Sequence, residues 1–125
     1  MMKILSPRVH GYLDYLAVLY FLAAPSLFGF TGLPATVFYV VAAAYLVLTL
    51  LTAYPLGVVK AIPFPLHGGI ELLTGIALIA LPWVLGFANS DEIARNLYVA
   101  SGAALFVLWL VSDYRTADVN QEATA

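Results

Sequence analysis

A chain of 125 residues has the length of one domain. Hydrophobic residues make up 63% of it and charged residues 10%, against roughly 45–50% and about 25% in soluble globular domains, so a soluble globular fold is excluded. A net charge of -2 with no Lys/Arg run excludes nucleic acid as a partner, and the absence of cysteine excludes disulfides, thiolate metal sites, iron–sulfur clusters and Cys nucleophiles.

Lys3 and Arg8 ahead of an apolar run have the look of a signal peptide, but Asp14 falls early in that run and the run recurs later, so it reads as a retained helix. Ser6 followed by Pro7 predicts an N-cap with proline at the first helical position. The first apolar stretch runs from Leu13 to Phe30 with Asp14 as its single charge, and the second, Pro34 to Tyr54, carries none. A loop from Pro55 to Pro65 follows, rich in proline, with Pro65 suited to open the next helix. The third stretch, Leu66 to Phe87, carries only Glu71; a polar loop from Asn89 to Arg95 leads to the fourth, Asn96 to Ser112, which is uncharged. Each stretch has about the 20 residues that cross ~30 Å of hydrocarbon at 1.5 Å per residue. Runs of this length without alternation are helices, because lipid offers the backbone no other partner.

The expected fold is therefore an all-α membrane protein with four transmembrane helices in one domain over residues 1–115, followed by a polar, disordered tail over 116–125. Lys3, Arg8, Lys60 and Arg115 fall on one side and Arg95 on the other. The excess predicts both termini and the Pro55–Pro65 loop on the cytoplasmic side of a bacterial inner membrane.

An offset of 57 residues lays the first hairpin on the second. His10-Gly11 meets His67-Gly68, Asp14 meets Glu71, Leu16 meets Leu73, Ala23 meets Ala80, Pro25 meets Pro82, and Gly29-Phe30 meets Gly86-Phe87. Shared apolar composition does not match His, Gly, Pro and Gly-Phe together, so the halves (about 7–57 and 64–114) are repeats. Each unit crosses the membrane twice, which predicts a parallel repeat with a pseudo-two-fold axis along the membrane normal. Pro25 and Pro82 are expected to loosen the last turns of their helices, and Gly29 or Gly86 to end them.

A proline, an apolar or aromatic residue and then Gly-Phe at the end of a repeated helix resembles the SPW-repeat family of small bacterial membrane proteins. Leu81-Pro82-Trp83-Val84-Leu85-Gly86-Phe87 carries the resemblance best. Ala24-Pro25-Ser26-Leu27-Phe28-Gly29-Phe30 keeps the proline and Gly-Phe without the tryptophan, and neither copy has serine before the proline. The resemblance implies a multi-pass membrane fold and no particular activity.

Candidate chemistry rests on His10, Asp14, His67 and Glu71. Ionisable groups inside a span are costly and usually mark a site facing the bundle interior. His and acid at i, i+4 share one helix face, and the repeat brings two such pairs toward each other. Three readings stand: a proton or ion site, a packing device in which each acid pairs with its own His or with Arg8 or Lys60, and a divalent-metal or bis-His haem site. A weaker set, Thr52-Ala53-Tyr54 and Ser112-Asp113-Tyr114, occupies equivalent positions with a small slip in alignment. These positions are expected to surround the His/acid cluster from the neighbouring helices, which makes Tyr54, Asp113 and Tyr114 candidate members of it; the alternative is that the tyrosines are interfacial belt residues and Asp113 a solvated acid. Small residues on the third and fourth helices, Gly75 and Gly102 among them, predict close helix packing. No nucleophile elbow, P-loop or metalloprotease motif is present, which leaves enzymology unsupported. The partners expected are the lipid bilayer and further copies of the chain in a homo-oligomer.

Overall fold

The computed structural model describes residues 4–114, so Lys3, Arg115 and the tail lie outside the described residues. The four expected helices are present: α1 (Pro7–Phe28), α2 (Gly32–Leu51), α3 (Phe64–Val84) and α4 (Glu92–Val111), each long and apolar enough to cross a membrane. Two short parallel strands, β1 (Thr52–Ala53) and β2 (Ile62–Pro63), pair beside the start of α3, and Leu5 bridges Ser112 in the same sense beside α1.

Local chemistry sets the helix ends. The Ser6 hydroxyl accepts the Val9 N–H, with Pro7 opening the helix as expected. At α3 the helix begins one residue earlier than the proline pattern suggests, with Phe64 first and Pro65 second. Arg95, placed by sequence at the end of a loop, is helical: Asp91 caps α4 by accepting the Ala94 N–H at 3.1 Å and starts the helix at Glu92. Pro25 and Pro82 sit inside the last turns, where each carbonyl accepts two N–H groups, from Gly29 and Phe30 in one case and from Phe87 and Ala88 in the other. Gly29 (φ 78°) and Gly86 (φ 82°) take the left-handed conformation that turns the chain out of the helix.

The halves match element by element. α1 and α3 correspond at an offset of 57 residues, while α2 and α4 correspond at 60. The slip sits in the connection between the helices, residues 29–31 in one half and the longer 85–91 in the other. The Leu5–Ser112 and Ile62–Thr52 bridges correspond under the same offsets.

The pattern of burial differs from that of a soluble bundle on both sides of the helices. Large apolar side chains face outward, with Leu73 67% and Trp83 56% exposed, while beside a core of Phe21, Phe38, Leu78 and other apolar residues the interior also buries two His, two acids and several hydroxyls. Lipid solvates the former and rejects the latter. Within the second hairpin α3 and α4 meet backbone to backbone: a Cβ on Gly75 would lie 2.9 Å from the Gly102 carbonyl oxygen. Between hairpins the far end is closed by aromatics, with Phe38 and Tyr98 rings 4.7 Å apart and the Tyr98 hydroxyl on the Pro34 carbonyl at 2.6 Å.

Overpacking a close helix crossing costs about 1–3 kcal/mol. Gly102→Val is expected to lower stability by about that amount in reversible unfolding by SDS, whereas Gly69→Ala, with nothing within 4 Å of the added atom, leaves the transition in place.

Candidate functional site: a buried histidine–carboxylate centre

His10 and His67 are each the fourth residue of their helices, and Asp14 and Glu71 follow one turn later. At 1.5 Å per residue the imidazoles lie about 5 Å, and the acids about 11 Å, inside the helix starts. The i, i+4 spacing aims all four at the junction of the two hairpins, where they meet. His10 Nε2 is 2.9 Å from Glu71 Oε2 and 3.2 Å from Asp14 Oδ1. His67 Nε2 is 3.1 Å from Asp14 Oδ2 and 3.5 Å from Glu71 Oε2. His10, Asp14 and His67 are 0% exposed and Glu71 1%. Each carboxylate thus touches the imidazole of its own helix and that of the other hairpin. Lys60 donates to the Tyr54 and Gly57 carbonyls, and among the described residues neither Lys60 nor Arg8 forms an ion pair with Asp14 or Glu71.

Three tyrosines complete the carboxylates' surroundings. Tyr45 donates between Asp14 Oδ1 at 3.0 Å and Glu71 Oε2 at 2.8 Å. Tyr54 donates to Asp14 Oδ2 at 2.7 Å, and Tyr114 to Glu71 Oε1 at 3.1 Å. Burial first, and then the neighbouring carboxylate, pushes the phenols of Tyr54 and Tyr114 well above their usual range, so both remain donors. Phe64 lies over the cluster, its ring 4.9 Å from His10 and 4.5 Å from Tyr114. The glycine of each His-Gly pair admits this cover: a Cβ on Gly68 would strike the Tyr114 ring, and one on Gly11 the Leu56 side chain.

The outer nitrogen of each imidazole is held across the hairpins. His67 Nδ1 meets Thr52 Oγ1 at 2.7 Å and His10 Nδ1 meets Ser112 Oγ at 2.6 Å. Both hydroxyls donate their own hydrogen back into their helices, Thr52 to the Leu48 carbonyl and Ser112 to that of Leu108. A hydroxyl that has spent its one hydrogen can only accept, so each Nδ1 carries the hydrogen and each Nε2 faces the carboxylates.

The expected cluster of four is therefore one assembly, with Tyr54 and Tyr114 turned inward rather than forming a belt. Asp113 stays outside it; its backbone N–H donates to the Leu5 carbonyl beside the bridge. Gly29, Phe30, Pro25, Pro82, Gly86 and Phe87 lie at the opposite end and serve helix termination and packing, with Phe30 and Phe87 buried and Trp83 outward. Tyr45 escaped sequence reasoning. Its signal was available: a tyrosine deep in an uncharged span, seven residues before Thr52 and so on the same helical face.

Two helix hairpins with a polar centre between them and an apolar exterior define a small multi-pass membrane protein. The chain matches the SPW repeat domain over residues 8–112 and belongs to that family. No curated protein and no solved structure matches it.

Leaving a buried acceptor unsatisfied costs about 1–3 kcal/mol. Tyr45→Phe removes the one donor shared by both acids and is expected to destabilise the fold by that amount, while Tyr39→Phe, at an exposed position, is silent in the same unfolding assay.

Proposed function

We propose that this protein binds a cation inside the membrane, at the centre formed by His10, Asp14, His67 and Glu71. The observation that carries the reading is the balance of charge: two carboxylates are wholly buried among helices that face lipid, and both imidazole Nε2 atoms point at them. Uncompensated, such a pair costs several kcal/mol, and a bound cation supplies what is missing. Holding an ion fits the geometry better than conducting one, since the four groups are sealed under Phe64, Tyr54 and Tyr114. Haem finds no slot, because Asp14 and Glu71 fill the space that a macrocycle between the two Nε2 atoms requires. The centre is complete within one chain, so binding does not depend on self-association. The matched offsets of 57 and 60 support a pseudo-two-fold relation of the halves, with the centre between them.

A second reading, in which the cluster only fastens the hairpins, draws on the hydrogen bond from His10 to Glu71. Equilibrium dialysis of the purified protein against Na⁺, K⁺, Mg²⁺, Ca²⁺, Mn²⁺ and Zn²⁺ separates the two. One ion bound per chain, lost in the Asp14→Asn/Glu71→Gln variant, is expected; no ion bound by a folded protein leaves only the fastening role.

We further infer that the centre lies at the cytoplasmic side of a bacterial inner membrane, as the excess of Lys and Arg on that side implies. The chain has no cysteine, which makes labelling direct: in intact cells a membrane-impermeant maleimide is expected to modify Ser90→Cys and to spare Val59→Cys, both exposed positions. The reverse pattern overturns the orientation.

A further inference from the structure

We propose that the cation is a divalent first-row transition metal of the zinc type, held tetrahedrally by His10 Nε2, His67 Nε2 and one oxygen each of Asp14 and Glu71. This rests on the cation-binding reading above and names its ligand.

The tautomer of each histidine favours a metal ligand. Thr52 and Ser112 fix a hydrogen on each Nδ1. A neutral imidazole in that state turns its Nε2 lone pair toward the carboxylates, so that two imidazole nitrogens and two carboxylates converge as acceptors. Imidazole bound through one nitrogen, with the other donating to a fixed oxygen, is the usual second-layer support of a metal-ligating histidine.

A metal ion competes with two protons for this site. Protons on the Nε2 atoms would balance the charge equally well, but they need aligned acceptors. His10 Nε2 has one in Glu71 Oε2 at 2.9 Å. His67 Nε2 is less well placed: fully buried, it lies 3.1 Å from Asp14 Oδ2 and 3.5 Å from Glu71 Oε2, within ion-pair range of both but, among the described residues, out of line with either for a hydrogen bond. A proton there would be poorly used, whereas a metal ion takes the lone pair itself.

The size of the site also favours a small ion. Ligands around a tetrahedral ion with bonds near 2.0–2.1 Å are about 3.3 Å apart. Glu71 Oε2 lies 2.9 Å and 3.5 Å from the two Nε2 atoms, Asp14 reaches His10 through Oδ1 at 3.2 Å and His67 through Oδ2 at 3.1 Å, and one ligand atom from each residue can be chosen so that all lie within 4.8 Å, a spread that a small rotation of the Asp14 carboxylate narrows toward the tetrahedral edge. Calcium, with six to eight oxygens at 2.3–2.6 Å, asks for a wider and all-oxygen shell. Two carboxylates and one divalent ion sum to zero, the state that the surrounding apolar helices favour.

The tyrosines then act as outer support. Tyr54 and Tyr114 hold the carboxylates from the cytoplasmic end and Tyr45 from the bilayer side, orienting the oxygens without competing for the ion. Thr52 and Ser112 are positioning residues: they set which nitrogen is free.

The test uses the full chain in detergent, stripped with a chelator and titrated with Co²⁺. One equivalent is expected to produce the intense visible absorption of tetrahedral cobalt, displaced by one equivalent of Zn²⁺ and absent in Asp14→Asn and in His67→Gln. Thr52→Val with Ser112→Ala is expected to weaken Co²⁺ binding about 10–100-fold while the band shape persists. X-ray absorption on the zinc-loaded wild-type chain, expected to report two nitrogen and two oxygen neighbours, keeps the test independent of variants that fail to fold. The weak absorption of octahedral cobalt, or binding that survives His67→Gln in a folded protein, overturns the proposal. Uptake of Ca²⁺ or Na⁺ without Co²⁺ or Zn²⁺ overturns it too, and leaves the cation-binding reading standing. Failure of every cation to bind removes both.

Discussion

Two carboxylates placed in the interior of a membrane bundle impose a condition on everything near them. Asp14 and Glu71 cannot be solvated from outside, because the surfaces of the helices that carry them are Leu, Val, Ile and Trp. All compensation must come from the chain or from what it binds. The neighbours are arranged accordingly: an imidazole one turn away on the same helix, another from the opposite hairpin, and a tyrosine hydroxyl on every carboxylate oxygen. The position of the helix ends follows from the same condition, since Thr52 and Ser112 reach the histidines only if α2 and α4 stop where they do. So does the glycine after each histidine, which lets a covering side chain lie against the helix.

Much of this was legible without coordinates, for identifiable reasons. Helical periodicity places residues four apart on one face, and charge inside an apolar run is rare enough to mark a site. His10, Asp14, His67 and Glu71 declare themselves on those two grounds. The exchange of contacts between hairpins does not. That Thr52 holds His67 while Ser112 holds His10 depends on how two hairpins face each other, which no spacing within a hairpin encodes. Tyr54 and Tyr114 illustrate a competing rule: depth alone assigns them to the interface, but a buried acid within reach turns their hydroxyls inward. The start of α4 was obscured because Asp91, a capping residue, sits in a run of polar residues that reads as uninterrupted loop.

The repeated proline and Gly-Phe segments and the polar centre occupy opposite ends of the described residues. Pro25 and Pro82 stand where a kink is harmless, since the N–H groups that follow find the proline carbonyls, and the phenylalanine after each glycine folds back under the bundle. This end shapes the hairpin, while the other holds the charges. The proline and Gly-Phe of each half therefore serve as a folding device at the end away from the charges.

Tyr45 breaks the correspondence between the halves. Its counterpart at the 60-residue offset is Leu105, also buried, which has no hydrogen to give. Two identical hairpins brought together as separate chains would present two such tyrosines or none, and the space between Asp14 and Glu71 receives one. Joining the hairpins in a single polypeptide removes that restriction. One arm contributes the shared hydroxyl and the other an inert side chain, so the duplicated chain reaches a composition that a symmetric dimer of its own half could not.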